Sequence, residues 1–297
     1  MRQHNKMKIA ILGAGKMGIW FTNFCKGKSD TVILAGRNAK KLAELKKELQ
    51  IETTTDLQEA VQNADIILIC TSISSFEDIV KKIAPATHKG QVIMDICSIK
   101  EQPVNIMHQY IKNATVLGTH PVFGPGSNGI NHKACVLTPT NPQEEIVAEQ
   151  YKQWLENEGA NVFIMTPQKH DELMSIILGL PHFIGLVTCE TLLAQENFAE
   201  SKKLAGTTYR MLFTLAEATA QETPDLYANV QTKLSNLGNI EEKFIQNAQT
   251  LLDLIKKKDS AEIIARIDRL RIKLSKVDSD NNKSYETMYK MLQSTEE

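Results

Sequence analysis

The chain has 297 residues and a formal net charge of −1, a length that favours two domains with a sizeable core. Its charge leaves no basic footprint for nucleic acid, and we interpret the lysine cluster near Lys256 as a solvated helix face. Five scattered cysteines without a C-x-x-C pair predict neither a metal site nor disulfides, and favour reduced thiols in the cytoplasm. We expect no apolar run near the roughly 20 residues that span a membrane, and no secretory signal.

The first half of the chain alternates short apolar runs with helical patterns. The predicted strands are MKIAILG, TVILAG, ADIILIC, QVIMDIC and ATVLGTH, and the runs ACVLTP and NVFIMTP are expected to extend the sheet. Strands that alternate with helices predict a parallel sheet with right-handed crossovers. The fully apolar ADIILIC is typical of a strand that is covered on both faces.

The second half, beyond Met165, carries almost only helical patterns. Thr166 is a predicted N-cap with Pro167 at the first helical position. The segment EEKFIQNAQTLLDLI places its apolar residues on one stripe, and YETMYKML predicts a last helix. We place the domain boundary so that residues 1–165 form one domain and residues 166–297 a helical one. Such long stripes are hard to bury within few helices, so we expect a homodimer.

A glycine motif, Gly13-Ala14-Gly15-Lys16-Met17-Gly18, follows the first predicted strand and opens a helix. In that context G-x-G-x-x-G predicts dinucleotide binding, with Gly13 in a tight turn, Gly15 beside the pyrophosphate and Gly18 at the packing of helix on strand. The start of the helix attracts phosphate groups. The remaining cofactor contacts are expected at Lys16, Met17, Arg37, Asn38, Thr71 and Ser72.

The end of the second strand bears on cofactor choice. An NAD enzyme places a carboxylate there for the ribose 2′-hydroxyl, whereas this chain has Gly36 and Arg37. A guanidinium matches a 2′-phosphate, so the sequence favours NADP over NAD. The alternative is that Arg37 stacks on adenine or faces solvent.

Two further segments fall where sheet strands end, the edge at which open α/β sheets bind ligands. Ser98 lies in DICSIK and His120 in GTHPVFGP. A histidine that titrates near neutrality suits the removal of a hydroxyl proton, and together with a hydride acceptor this describes alcohol oxidation.

The segments ILGAGKMG, DICSIKE, GTHPVFGP and LPHF, in this order, resemble the prephenate/arogenate dehydrogenase family of tyrosine biosynthesis. The resemblance covers nearly the whole chain and implies an α/β fold, with an N-terminal Rossmann-type doubly wound sheet and a C-terminal all-helical dimerisation domain. It implies oxidative decarboxylation of a cyclohexadienyl substrate. His120 is then the base that takes the proton of the ring hydroxyl, and Ser98 is the residue that orients His120 and contacts the same hydroxyl.

The resemblance also implies substrate contacts, with His182 lining the pocket and Arg210 binding a carboxylate. Thr119 and Gly126 beside the base complete the expected substrate contacts. Each has an alternative: Ser98 as a helix N-cap, His182 as a packed core residue and Arg210 as a surface charge. His170-Asp171 we interpret as first-turn helix chemistry, with Asp171 favouring the helix dipole.

The chain departs from the family pattern at two places. Gly126 stands where an acidic residue is frequent, and Leu178-Gly179 stands where Ser-His is frequent. Both departures lie at the expected pocket wall, so they bear on substrate preference more than on reaction type. We expect neither a chorismate mutase segment nor a regulatory module, and no metal site or membrane partner.

The predicted function is an NADP-preferring, cytoplasmic prephenate dehydrogenase that makes 4-hydroxyphenylpyruvate. Arogenate dehydrogenase is the alternative. Further alternatives are a reductase of imines or β-hydroxy acids, and a sensor that binds NADP without catalysis.

Overall fold

The computed structural model describes residues 7–28 and 31–293. These residues form two compact units. The first comprises the described residues up to Met174 together with Pro224–Leu234, and the second comprises Ser175–Thr223 and the described residues from Ser235 onward. The predicted domain bounds, 1–165 and 166–297, stay a prediction beside this division.

The first unit contains one sheet, whose order is β3-β2-β1-β4-β5-β6-β7-β8. Its strands are β1 Lys8–Leu12, β2 Thr31–Ala35, β3 Glu52–Thr54, β4 Ile66–Ile69, β5 Val92–Asp95, β6 Thr115–Pro121, β7 Ala134–Thr138 and β8 Asn161–Ile164. The pairs from β3 across to β6 are parallel, β6 and β7 are antiparallel, and β7 and β8 are parallel. The first six strands have the 3-2-1-4-5-6 order of dinucleotide-binding domains, so the predicted α/β fold class is confirmed.

Helices connect the strands and then make up the second unit. Those up to Met174 are α1 Lys16–Lys26, α2 Ala39–Leu49, α3 Leu57–Gln62, α4 Ile73–Ile83, α5 Glu101–Tyr110, α6 Pro142–Asn157 and α7 Pro167–Met174. Those beyond it are α8 Leu180–Leu193, α9 Phe198–Lys203, α10 Thr207–Gln221, α11 Pro224–Lys233, α12 Leu237–Lys256, α13 Ser260–Val277 and α14 Ser284–Gln293. Of these later helices, α11 belongs to the first unit.

The core of the first unit follows from its apolar strands. Ile11, Leu34, Ile67 and Ile93 lie in four neighbouring strands and have no exposed surface. Parallel strands with helices on both faces are buried on both sides, which is why these segments are continuous apolar runs rather than alternating ones.

Three elements of the first unit were absent from the sequence prediction: β3, α3 and α6. β3 has only three residues, too few for a periodic signal. The start of α6 does carry signals, because Asn141 caps it by accepting from the backbone N–H of Glu144 at 3.1 Å, and Pro142 is its first residue. The predicted cap of α7 is confirmed, since the Thr166 hydroxyl accepts from the backbone N–H of Lys169 at 3.2 Å.

In the second unit α8 packs on α10, and α12 packs on α13. Gly185 lets α8 approach α10 closely, because a Cβ there would overlap Thr219. The outer helices nevertheless leave large apolar side chains exposed. On α12 and α13 these are Phe244, Ile245, Leu251, Leu252, Ile255, Ile264, Ile267, Leu270, Ile272, Leu274 and Val277. We call this set the apolar face.

One helical stretch, Pro167–Leu193, is long and apolar enough to cross a membrane by length and composition. Its most apolar window has a mean hydropathy of 1.8 and is 11% buried. The expectation that no apolar run approaches the length of a span is therefore wrong for this stretch. Length and composition alone do not separate a membrane span from an interface helix, because both carry the same apolar residues.

Candidate functional site

The glycine motif lies where β1 ends and α1 begins. Gly13 has a φ of +124°, and its backbone N–H donates to the carbonyl of Ala35 on β2 at 2.8 Å. A Cβ on Gly18 would overlap the carbonyl oxygen of Gly13, so the close approach of helix and strand requires glycine there. A Cβ on Gly15 would meet no atom within 4 Å, which leaves open space in front of the helix. These three environments fit the turn, the pyrophosphate approach and the packing that a dinucleotide site requires.

Polar groups surround that open space. Lys16 and Met17 lie in the first turn of α1, and the N–H groups at the start of a helix are available to bind a phosphate. Thr71 and Ser72 follow β4, and the Thr71 hydroxyl is buried without a hydrogen-bond partner among the described residues. A buried hydroxyl without a partner is uncommon, and a bound ligand at this edge could satisfy it. The residues present therefore fit a dinucleotide.

The residues predicted to contact the adenosine ribose follow β2. Arg37 is exposed, and its contact with a 2′-phosphate stays a prediction. The Asn38 side chain instead caps α2, accepting from the backbone N–H of Lys41 at 3.0 Å. The Asn38 oxygen is thus engaged in its own helix, and a contact between Asn38 and the cofactor stays a prediction.

A buried ionic cluster underlies the edge between β5 and β6. Asp95 and Lys100 form an ion pair whose side chains have no exposed surface. The Lys100 Nζ also donates to the carbonyl of Thr119, and Asp95 accepts from the backbone N–H groups of Cys97 at 2.8 Å and Thr119 at 3.1 Å. A buried charge without a partner costs several kcal/mol, so moving either strand end and breaking these hydrogen bonds would be unfavourable. The network therefore holds the ends of β5 and β6 together.

Thr119 was predicted to contact substrate, and the structure corrects this. Its side chain is buried, and its hydroxyl donates to the carbonyl of Asp95. Its backbone groups are also taken, by Asp95 and Lys100. Thr119 therefore supports the strand end from inside the protein.

His120, the predicted base, lies near the end of β6 and is only 5% exposed. Its Nδ1 atom lies 2.8 Å from Nε2 of His170, a fully buried residue of α7. The Nδ1 atom of His170 lies 2.7 Å from Oδ1 of Asp171. Three side chains therefore form one line of hydrogen bonds, which we call the histidine relay.

Asp171 is also the cap of another helix. Its Oδ1 accepts from the backbone N–H of Lys100 at 2.7 Å, and its Oδ2 accepts from that of Glu101 at 3.0 Å, at the start of α5. The interpretation of His170-Asp171 as first-turn chemistry of its own helix is therefore wrong. Asp171 stabilises the start of α5, and through His170 it reaches His120.

Burial keeps both relay histidines neutral. Desolvation lowers the pKa of His120 well below its ordinary value of 6.5, and the neighbouring His170 and the Lys100 cation lower it further. Burial lowers the pKa of His170 too, against the opposing effect of Asp171. A neutral imidazole is the form that accepts a proton, so His120 has the protonation state of a base.

Ser98 was predicted to orient His120. In the structure the hydrogen-bond partner of His120 is His170, and the described residues offer the Ser98 side chain no hydrogen bond. The orienting role of Ser98 stays a prediction, and the contact that the structure shows for His120 comes from His170. The alternative of Ser98 as an N-cap is wrong, since the cap of α5 comes from Asp171. A contact between Ser98 and a substrate hydroxyl stays a prediction.

The loop that follows His120 is anchored to α1. Trp20 donates through Nε1 to the carbonyl of Ser127 at 2.8 Å, and its ring lies 4.9 Å from that of Phe123. The helix of the glycine motif thus holds the loop after the base. Gly126 in this loop is exposed, and a Cβ at this position would meet no atom within 4 Å. No other side chain therefore fills the space that a carboxylate at this position would occupy.

His182 and Arg210 belong to the second unit, on α8 and α10. Burial lowers the pKa of His182, with Glu222 acting in the opposite direction. Arg210 lines an open cavity of about 390 Å³ beside Lys202 and Tyr209. Their roles toward substrate stay predictions.

The departure at Leu178-Gly179 has a packing explanation within the second unit. A Cβ on Gly179 would overlap the side chain of Leu237, the first residue of α12. Glycine at this position therefore lets α12 pack close to the start of α8. The family's frequent Ser-His pair is replaced here by a close contact between helices.

Sequence reasoning missed His170, Asp171, Lys100 and Asp95 as parts of the site. His170 is 50 residues from His120, and no local pattern links positions that meet only in the tertiary structure. The described residues contain no cluster of three or more His, Cys, Asp or Glu side chains placed to hold a metal ion.

Comparison with known proteins identifies the family to which the chain belongs. Residues 21–164 match the model for the prephenate dehydrogenase nucleotide-binding domain, and residues 166–269 match that for the prephenate dehydrogenase dimerization domain. A "Probable arogenate/prephenate dehydrogenase" of Methanocaldococcus jannaschii is 32% identical over 262 residues, which cover 86% of this chain and 58% of the relative. "Arogenate dehydrogenase 2, chloroplastic" of Arabidopsis thaliana is 25% identical, over 75% of this chain and 63% of its own. The chain thus spans about three fifths of the length of these relatives.

Two solved structures share the fold. Prephenate dehydrogenase from Aquifex aeolicus, in complex with hydroxyphenyl propionate and NAD+, has a TM-score of 0.78 and 20% identity, covering 93% of this chain and 100% of that one. Synechocystis arogenate dehydrogenase has a TM-score of 0.71 and 20% identity, covering 91% of this chain and 100% of that one. From the two domain models, which together extend from residue 21 to residue 269, the chain belongs to the prephenate/arogenate dehydrogenase family.

Proposed function

We propose that this protein is a prephenate dehydrogenase that prefers NADP and yields 4-hydroxyphenylpyruvate and CO₂. The observation that carries the proposal is His120, a neutral base held by the histidine relay at the sheet edge where β1 and β4 also end. Arogenate is the second candidate substrate, because relatives bear both names. Prephenate and arogenate differ by a keto or an amino group on the side chain.

The chemistry assigns each group a task. A nicotinamide dinucleotide at the glycine motif supplies the hydride acceptor. His120 accepts the proton of the ring hydroxyl as the hydride leaves the same carbon. The resulting ketone draws the electrons of the C–CO₂⁻ bond as CO₂ departs and the ring becomes aromatic. The phenolate oxygen then takes the proton back from His120, which restores the neutral base. Arg210 is the proposed carboxylate ligand, through charge-assisted hydrogen bonds.

The preference for NADP rests on Arg37. The cation is exposed after β2, where NAD enzymes carry a carboxylate, and Lys40 and Lys41 are near in sequence. These three positive charges favour a 2′-phosphate over a 2′-hydroxyl.

We further propose a cytoplasmic homodimer. The side chains of the apolar face are exposed in the single chain, and exposed apolar surface is typical of an interaction site when it is extensive. The dimerization-domain match includes α12 and the first half of α13. A second copy of the chain is therefore the occupant we propose for this face.

One assay tests the reaction. Purified protein is combined with NADP or NAD and with prephenate or arogenate, reduced nicotinamide is followed by absorbance, and the aromatic product is identified by chromatography. We expect the largest kcat/KM for NADP with prephenate. Preference for arogenate would select the second candidate, and absence of turnover in all four mixtures would overturn both.

A further inference from the structure

The contact of His170 and Asp171 with the predicted base His120 lies outside every role predicted from the sequence. We infer that His170 and Asp171 are positioning residues that fix the tautomer of His120, keeping its Nδ1 protonated and its Nε2 free to take a proton. The inference rests on the proposed function only in treating His120 as the base. The tautomer itself is a property of the protein without substrate.

The direction of each hydrogen bond follows from Asp171. Its two oxygens already accept from the backbone N–H groups of Lys100 and Glu101, so the side chain acts as an acceptor. His170 therefore donates to it from Nδ1 across 2.7 Å. A neutral imidazole carries one N–H, which leaves Nε2 of His170 as an acceptor.

The hydrogen bond between His170 and His120 has a direction that follows in the same way. Nε2 of His170 accepts, so Nδ1 of His120, 2.8 Å away, must donate. Nε2 of His120 then carries the lone pair, and the described residues give it no hydrogen bond. The opposite tautomer of His120 would place two acceptor nitrogens face to face, or would turn the acceptor side of His170 toward a carboxylate.

The buried surroundings make this arrangement stable before the reaction. His170 has no exposed surface and Asp171 is nearly buried, so water does not compete for these hydrogen bonds. The Lys100 cation, held by Asp95, disfavours a proton on either ring in the resting state. When Nε2 takes the substrate proton, the imidazolium keeps its donor bond to His170, and the Asp171 carboxylate lies beyond that ring.

Two amide substitutions of one residue separate positioning from folding. His170→Gln places an amide oxygen near the position of Nε2, whereas the shorter His170→Asn reaches only the position of Nδ1. We expect His170→Asn to lower kcat by about 10²-fold or more, since a catalytic histidine held in the wrong tautomer can lose up to about 10⁴-fold. His170→Gln should recover at least about tenfold of that loss, with KM for the cofactor unchanged in both. His88→Asn, at an exposed histidine, is the control.

The outcomes decide between the two proposals. Equal kcat for His170→Asn and wild type would overturn the positioning role while leaving the proposed function intact. Equal losses in both amide variants, or a loss confined to KM for the cofactor, would also count against it, since only the acceptor distinguishes the pair.

A spectroscopic test needs no turnover. In ¹⁵N spectra of histidine-labelled protein, which has seven histidines, His120→Asn identifies the signals of the base. We expect His120 with a proton on Nδ1 and none on Nε2. Asp171→Asn leaves one side-chain oxygen for the three donors that Asp171 accepts, so His170 is no longer held with its proton on Nδ1. If that proton moves to Nε2 of His170, Nδ1 of His120 must accept, and we expect His120 to shift toward the Nε2–H form. An Nε2–H signal in the wild type would overturn the inference, even in an active enzyme, and the expected signal in an inactive protein would overturn the proposed function alone.

Discussion

The two compact units differ in which side chains they bury, because the first buries charged groups and the second leaves large apolar ones exposed. In the first unit even an ion pair, Asp95 with Lys100, is removed from water, and both side chains make further hydrogen bonds to the backbone. In the second unit Ile255 is 55% exposed and Ile264 is 60% exposed. A polar network completed within one chain suits chemistry that needs fixed groups in a dry site. An apolar surface left open suits association with a second chain.

The strongest test of the first unit is the loss of its base. His120→Asn removes Nε2 but keeps a polar side chain at the end of β6. We expect kcat to fall by about 10²–10⁴-fold, the contribution of a general base, while the affinity for NADP is retained. Stopped-flow turnover and calorimetric cofactor binding measure the two effects. A rate near that of wild type would remove His120 from the mechanism.

The matching test of the second unit places a charge on the apolar face. Ile255→Glu would bury an unpaired carboxylate in the proposed dimer, at a cost of several kcal/mol. We expect the dissociation constant of the dimer to rise by about 10²-fold or more, as followed by light scattering against dilution. Gln246→Glu adds the same charge to α12 away from the face, and should leave the dimer intact. A monomeric wild type of 33.2 kDa would contradict the proposed interface.

The contrast also explains which features the sequence could predict. The glycine motif is a local pattern, because its turn, helix start and packing contact lie within six consecutive residues, and its geometry followed from residue types alone. The histidine relay is assembled by the sheet, since β6 carries His120 while α7 carries His170. Asp171 could be interpreted only as part of its own helix, because the start of α5 that it caps is distant in sequence.

Other misses have equally particular causes. α6 begins with a polar N-cap and a proline, so its start is predictable from local sequence signals. Thr119 stands beside the base in sequence, yet alternate residues of a strand point to opposite faces, and its hydroxyl reaches inward to Asp95. Adjacency in sequence is therefore a poor guide to which side chains of a strand line a site.

Arg37 is an exposed charge of the first unit, and its replacement tests whether a charge at the surface determines the choice between NADP and NAD. Arg37→Asp should remove the attraction for a 2′-phosphate and offer a carboxylate to the 2′-hydroxyl. A hydrogen bond between charged groups is worth about 1.5–3 kcal/mol, so the ratio of kcat/KM for NADP over NAD should fall by about tenfold or more. Lys47→Asp, on α2 and away from the strand end, is the control for net charge. An unchanged ratio would assign cofactor choice to other residues.

The smallest expected effect concerns pH and stability. The native state holds His120 and His170 neutral, whereas an unfolded histidine takes a proton with a pKa near 6.5. Since the unfolded chain then binds more protons, the stability that is complete above pH 6.5 is lost as pH falls below it. Each histidine should lower the free energy of unfolding by about 1.4 kcal/mol per pH unit until its own folded pKa is reached. Urea titrations of wild type and His120→Asn between pH 7 and 5 measure the difference in slope, which isolates one ring from the carboxylates that also titrate. Equal slopes would mean that His120 takes up its proton over the same pH range in the native and unfolded states, which would contradict the lowered pKa of the buried base.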